Sequence, residues 1–216
     1  MKKINIKNKK VAVISAAMAT IMVAGGAFAY FTDLDAAKNK IEIGNVHIEL
    51  DEPTWDSTPD TDSDGIPDTA DEIVPGKEIP KDPQITNTGK NDAYVYMTVE
   101  VPMAEIITAN EDGTLANGGA ARSTELFTFD ANSGWELLNV AARDTQSTIY
   151  TYGYTDILKP TEKTATLFDK VTFVNAIEGQ GLEDTVQEID VKAMAIQIEG
   201  TGSMKEAYEK YSNQNS

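Results

Sequence analysis

The segment with the least conformational freedom is residues 93–101, AYVYMTVEV, in which Val95, Met97, Val99 and Val101 alternate with Tyr94, Tyr96, Thr98 and Glu100. A two-residue period over that length, rich in β-branched and aromatic side chains, predicts a strand and does not fit the repeat of a helix. Shorter segments of the same kind recur along the chain. Ile41 and Ile43 alternate with charges, Gly44-Asn45 shifts the register, and Val46, Ile48 and Leu50 alternate again, which predicts a strand with a bulge or tight turn. Residues 84–88, 126–129, 135–138, 165–174 and 189–198 read as further strand-bearing stretches, separated by turn signals such as Asn87-Thr88-Gly89-Lys90-Asn91-Asp92 and Asn132-Ser133-Gly134. Residues 148–154, TIYTYGY, predict a strand with one face in water. Residues 109–121 are glycine-rich loop, and Ser203 followed by good helix formers predicts a short C-terminal helix over 203–211. Roughly eight to ten short strands with no strand–helix alternation predict one all-β domain over residues 30–216, an antiparallel β-sandwich or jelly roll.

One segment breaks this pattern. Residues 51–83 hold six of the eight prolines and a dense cluster of aspartates, and so predict an excursion with neither core strand nor helix. Within it, Asp60-Thr61-Asp62-Ser63-Asp64-Gly65-Ile66-Pro67-Asp68-Thr69-Ala70-Asp71-Glu72 has the ligand spacing of a calcium loop. Calcium takes six to eight oxygens, and carboxylates at alternate positions converge where the chain turns sharply. Asp60, Asp62 and Asp64 are the alternating acids, and Gly65 supplies the turn. The Ile66 carbonyl falls at the backbone-ligand position, Asp68 at the direct or water-mediated one, and Asp71 closes the loop with Glu72 one residue late. No amphipathic helices flank it, so it is similar to the single aspartate-rich loops of extracellular calcium modules and not to an EF-hand. The expected affinity is about 10⁻⁴ to 10⁻³ M. A solvated acidic linker is the alternative reading.

The N-terminus carries an export pattern: a basic stretch from Lys2 to Lys10, an apolar run over 11–24, Gly25-Gly26, and then Ala27-Phe28-Ala29 with small residues where a signal peptidase needs them. Cleavage after Ala29 leaves Tyr30 as the first residue, with residues 30–40 as an N-terminal arm; an uncleaved membrane anchor is the alternative. The formal net charge is −17, and loss of residues 1–29 removes five lysines and no acid, which brings it to −22. Such a charge disfavours nucleic acid and anionic lipid and favours cations or basic partners. There is no cysteine, which excludes disulfides, thiolate zinc sites and a cysteine nucleophile. The only histidine, His47, alternates with the apolar face of its strand and reads as exposed or at a rim. No zinc-ligand set, nucleophile elbow, P-loop or dinucleotide fingerprint is present, so the residues predict no enzyme and no cofactor other than calcium.

The order of several short motifs is more specific than any one of them. Gly25-Gly26-Ala27-Phe28-Ala29-Tyr30-Phe31-Thr32-Asp33 is followed by Gly44-Asn45-Val46-His47-Ile48-Glu49-Leu50, then Pro75-Gly76-Lys77, then Lys81-Asp82-Pro83-Gln84-Ile85-Thr86-Asn87-Thr88-Gly89, then Asp92-Ala93-Tyr94-Val95. In this the chain resembles the TasA/camelysin family of Gram-positive bacteria, most strongly over residues 1–102. The resemblance implies a jelly-roll domain, export through a SipW-type signal peptidase, and a subunit of an extracellular matrix or surface fibre. It also implies that the mature N-terminal segment, here beginning at Tyr30, adds as a strand to the next subunit, and that an accessory assembly protein is a possible partner. Two other functions stay open: a monomeric calcium-binding surface adhesion domain, and a camelysin-type surface metalloendopeptidase.

Overall fold

A computed structural model describes residues 45–143 and 146–214. The leader, the cleavage site at Ala27, Ala29 and Tyr30, the arm over 30–40, and the Ile41–Gly44 part of the first predicted strand lie outside the described residues.

The architecture is an all-β antiparallel sandwich with a short C-terminal helix. The main sheet runs β10 (Asp190–Gln197), β4 (Ala93–Ile106), β8 (Ser147–Tyr154), β7 (Trp135–Arg143), and β5 (Arg122–Glu125) pairs with the far end of β4. A second sheet is β2 (Glu78–Pro80), β9 (Lys170–Phe173), β6 (Phe127–Thr128), and β1 (Ile48–Asp51) pairs with β3 (Gln84–Asn87) as a two-stranded ribbon. All named pairings are antiparallel. Residues from all three sheets share one apolar core, among them Val95 and Val99 of β4, Ile85 of β3, Ile79 of β2 and Val171 of β9. Among the described residues no helix is long and apolar enough to cross a membrane.

The period-two stretch forms β4 as expected and continues through Pro102 to Ile106. Its Val95, Met97, Val99 and Val101 face is fully buried. Tyr94 and Tyr96 on the opposite face are buried too, in a second cluster with Met204 and Ala207. These last two belong to the C-terminal helix Met204–Gln214, which covers the outer sheet face at Tyr94 and Tyr96. The N-cap serine behaves as predicted: Ser203 Oγ accepts the Glu206 amide at 3.2 Å, and Glu206 Oε2 reaches back to the Gly202 amide at 2.9 Å.

Three expectations need correction. The wet face predicted for residues 148–154 is absent: Thr148, Thr151 and Tyr152 are all buried. β8 lies between β4 and β7, and the helix reaches Gly153, where an added Cβ would sit 2.2 Å from Met204 Sδ. The excursion over 51–83 does contain a helical turn, α1 (Pro53–Asp56), and the strand β2, whose Ile79 is in the core. Proline is permissive at both places, since Pro53 sits in the first helical turn and β2 is an edge strand that can hold Pro80. The C-terminal helix is α2. Last, the strand predicted over 135–138 extends to Arg143, with a bulge between Leu137 and Asn139.

The turn after β3 is tightly specified. Asn87 is fully buried; its Nδ2 donates to the Asn91 and Leu158 carbonyls, both at 2.9 Å, and its Oδ1 accepts the Gly89 amide at 2.9 Å. Gly89 lies so close to the incoming chain that a Cβ would stand 2.6 Å from His47 N and 2.8 Å from Asn45 O. Both are backbone atoms and cannot step aside alone. Gly89→Ala is therefore expected to cost about 1–3 kcal/mol, as for other overpacked sites; a denaturation midpoint equal to that of the parent would contradict this.

Candidate metal site

The aspartate loop leaves the sandwich after β1 and returns at β2. Its root is clamped at α1. Asp82 Oδ1 accepts the Thr54 amide at 2.9 Å and Asp82 Oδ2 accepts the Thr54 hydroxyl at 2.8 Å. Lys81 is buried; its Nζ donates to Glu52 Oε2 at 2.6 Å and lies 4.7 Å from the centre of the Trp55 ring. The pair and the ring fix the excursion to the domain, with the lysine charge matched by a carboxylate and an aromatic face. Sequence reasoning missed this clamp because Glu52, Trp55, Lys81 and Asp82 come from both ends of the excursion.

At the loop's tip the chain folds back on its own acids. Asp60 Oδ1 accepts the Ser63 amide at 2.7 Å and Oδ2 accepts the Gly65 amide at 3.0 Å. Asp64 Oδ1 accepts the Ile66 amide at 2.8 Å. Gly65 has φ +92, the left-handed conformation expected of the turn residue, and Ser63 shares it at φ +63. One carboxylate oxygen from each of Asp60, Asp62 and Asp64 lies within 4.8 Å of the others. Asp68 is engaged locally: its Oδ1 accepts the Thr61 amide at 2.8 Å and the Thr61 hydroxyl at 3.2 Å. Asp71 Oδ1 accepts the Glu72 amide at 2.8 Å. Asp60, Asp62 and Asp64 thus form the convergent set of carboxylates, and the carboxylates of Asp68, Asp71 and Glu72 lie outside it.

The protonation of these groups follows from their surroundings. Partial desolvation raises Asp60, but the Gly65 and Ser63 amides outweigh it and its carboxyl lies below the ordinary value. Asp62 lies above it, pushed by desolvation first and then by the Asp64 charge. Crowded carboxylates of this kind attract a hard cation, and three oxygens are half of calcium's minimum shell, leaving the rest to backbone or water. Protons compete with the cation. With its pKa raised above the ordinary aspartate value, Asp62 takes up a proton sooner than an ordinary aspartate as pH falls, so calcium affinity is expected to be weaker at about pH 4, near that ordinary value, than at neutrality. Titration at the two pH values checks this, and equal affinities would contradict it.

His47, the chain's only histidine, is exposed. Among the described residues, Asp60, Asp62 and Asp64 are the only set of three carboxylate or imidazole groups close enough to share a metal ion.

In comparisons with known proteins, the family model described as camelysin metallo-endopeptidase matches residues 5–118, just over half of the chain. The match runs from the basic N-terminal stretch through the aspartate loop and past β4. Searches of curated proteins and of solved structures gave no significant match.

Proposed function

We propose, since the chain belongs to the TasA/camelysin family, that it is an exported subunit of an extracellular or surface fibre that assembles by strand donation and carries a calcium-binding loop. The export pattern of residues 1–29 supports secretion, with cleavage at Ala29-Tyr30 by a SipW-type signal peptidase freeing the arm. The partner is another copy of the chain, with or without an accessory assembly protein.

The observation that carries this reading is a cleft of about 280 Å³ between β1 and β10, lined by Leu50, Glu52, Asp56, Lys81, Ile189 and Val191. β10 is the end strand of its sheet, and β1 pairs with β3 alone among the described residues. Each therefore offers unpaired backbone groups of the kind an added strand satisfies. The arm carries matching chemistry: Lys38 and Lys40 for Glu52 and Asp56, and Phe31 and Leu34 for Leu50, Ile189 and Val191. A contact of this head-to-tail type does not close on itself and builds a filament. With a charge of −22 on each mature subunit, packing of filaments side by side depends on screening cations. Sedimentation of the chain from Tyr30 tests the reading: filament-sized material supports it, and a monomer at every calcium concentration turns the choice to a calcium-binding adhesion domain.

The family's name favours a second reading, a surface endopeptidase. A catalytic zinc takes three protein ligands, commonly two of them histidine. This chain has one histidine and no cysteine, and its convergent acids are a hard, all-oxygen set suited to calcium. The residues do not fit a catalytic zinc. Cleavage of casein by the purified chain in zinc, abolished by chelator, would restore the endopeptidase reading.

A further inference from the structure

β7 is the outer strand of the main sheet, and among the described residues strand pairing reaches it only from β8. Other edges carry features that discourage a foreign chain, Pro80 in β2 and a length of two residues in β6. β7 lacks them along its middle. From Leu137 to Ala142 it has neither charge nor proline, and Leu137 and Val140 are 48% and 50% exposed.

Its charges stand at the ends and are opposite in sign, Glu136 and Arg143. The bulge between Leu137 and Asn139 sets which face each residue takes. Leu137 and Ala142 lie opposite Tyr152 and Thr148, on one face; Glu136, Ala141 and Arg143 lie opposite Gly153, Ile149 and Ser147, on the other. Leu138 joins that second face, in the cluster with Met204. With Leu138 as the bulged, unpaired residue, a second β7 laid antiparallel alongside therefore sets Glu136 against Arg143 at both ends, Leu137 against Ala142, Asn139 against Ala141 and Val140 against its own counterpart, each pair on a common face. Without the bulge, Glu136 and Arg143 would point to opposite faces.

We propose that the free edge of β7 pairs with β7 of a second copy of this chain, in a two-fold contact with Glu136 of each copy opposite Arg143 of the other. In so acidic a molecule this near-neutral edge is where two copies can approach. Glu136 and Arg143 now hold Lys205 at 2.6 Å and Glu100 at 3.2 Å, surface pairs that exchange at little cost. The contact is isologous, unlike strand donation, and it holds whether or not the arm is donated.

The test is sedimentation equilibrium of the chain from Tyr30, below the concentration at which filaments form, for the parent, Val140→Lys, Glu136→Arg, Arg143→Glu and the double exchange. The parent should dimerise. Val140→Lys and each single exchange should weaken the dimer about tenfold, since each exchange sets like charges opposite one another twice. The double exchange should return to within a few-fold of the parent, which also shows that the variants fold. A monomeric parent, a dimer indifferent to Val140→Lys, or a double exchange no tighter than the singles would overturn the proposal; a dimer made by the arm alone gives the second of these.

Discussion

Tyr96→Ala should destabilise the domain by about 3–5 kcal/mol, the range for removing a large buried aromatic, and should detach the C-terminal helix. Tyr96 is fully buried, its hydroxyl donates to the Met204 carbonyl at 2.7 Å, and its ring lies 5.6 Å from that of Tyr208. Burial pushes its hydroxyl well above the ordinary tyrosine range, so it remains a donor at any physiological pH. Truncation opens a cavity in the second cluster and leaves α2 held mainly by Met204 and Ala207. Tyr96→Phe separates the two contributions: it keeps the ring and should cost only about 1–2 kcal/mol for the lost hydrogen bond. Denaturant unfolding gives both values, and proteolysis reports the helix. A loss under about 1 kcal/mol for Tyr96→Ala, with the helix still protected, would mean that the roof over the sheet is not held by this residue.

Replacing Asp62 and Asp64 together by alanine is expected to remove calcium binding at the loop. These two supply convergent carboxylates while holding few other contacts, whereas Asp60 also accepts the Ser63 and Gly65 amides that shape the turn. Changing Asp60 would confuse loss of a ligand with loss of the loop. From a starting affinity of about 10⁻⁴ to 10⁻³ M, losing two of three acidic ligands should leave no resolvable heat in a calorimetric titration. The fold should persist, because both side chains are exposed. Heats matching those of the parent would end the calcium reading of the loop.

How much of this was legible in the sequence differed from element to element. β4 was readable because its repeat is local: Val95 to Val101 declare a buried face without reference to anything else. The cover on Tyr94 and Tyr96 was not, because it comes from a helix more than a hundred positions away, and the condition for its docking is a missing side chain at Gly153. The cap of α2 was legible for the opposite reason, since Ser203 and Glu206 act within one turn. β7 was read as ending at Leu138 because Asn139, Ala141 and Ala142 have little strand preference; pairing with β8 imposes the strand. β2 was hidden by Pro80, which an edge position tolerates. For the candidate metal site, spacing singled out the acids, and the converging carboxylates of Asp60, Asp62 and Asp64 match alternation plus a turn at Gly65. The engagement of Asp68 with Thr61 could not be read, because a side chain's choice between a metal and a neighbouring amide depends on the folded path.

The fibre reading stands on the arm that begins at Tyr30. The most direct measurement is electron microscopy of the mature chain beside the same chain lacking residues 30–40, at equal concentration, with circular dichroism showing that both are folded. Strand donation predicts filaments from the first and none from the second, and an excess of a peptide with the arm's sequence should fill the acceptor cleft and shorten the filaments of the first. Filaments of equal length and number from both chains would contradict it.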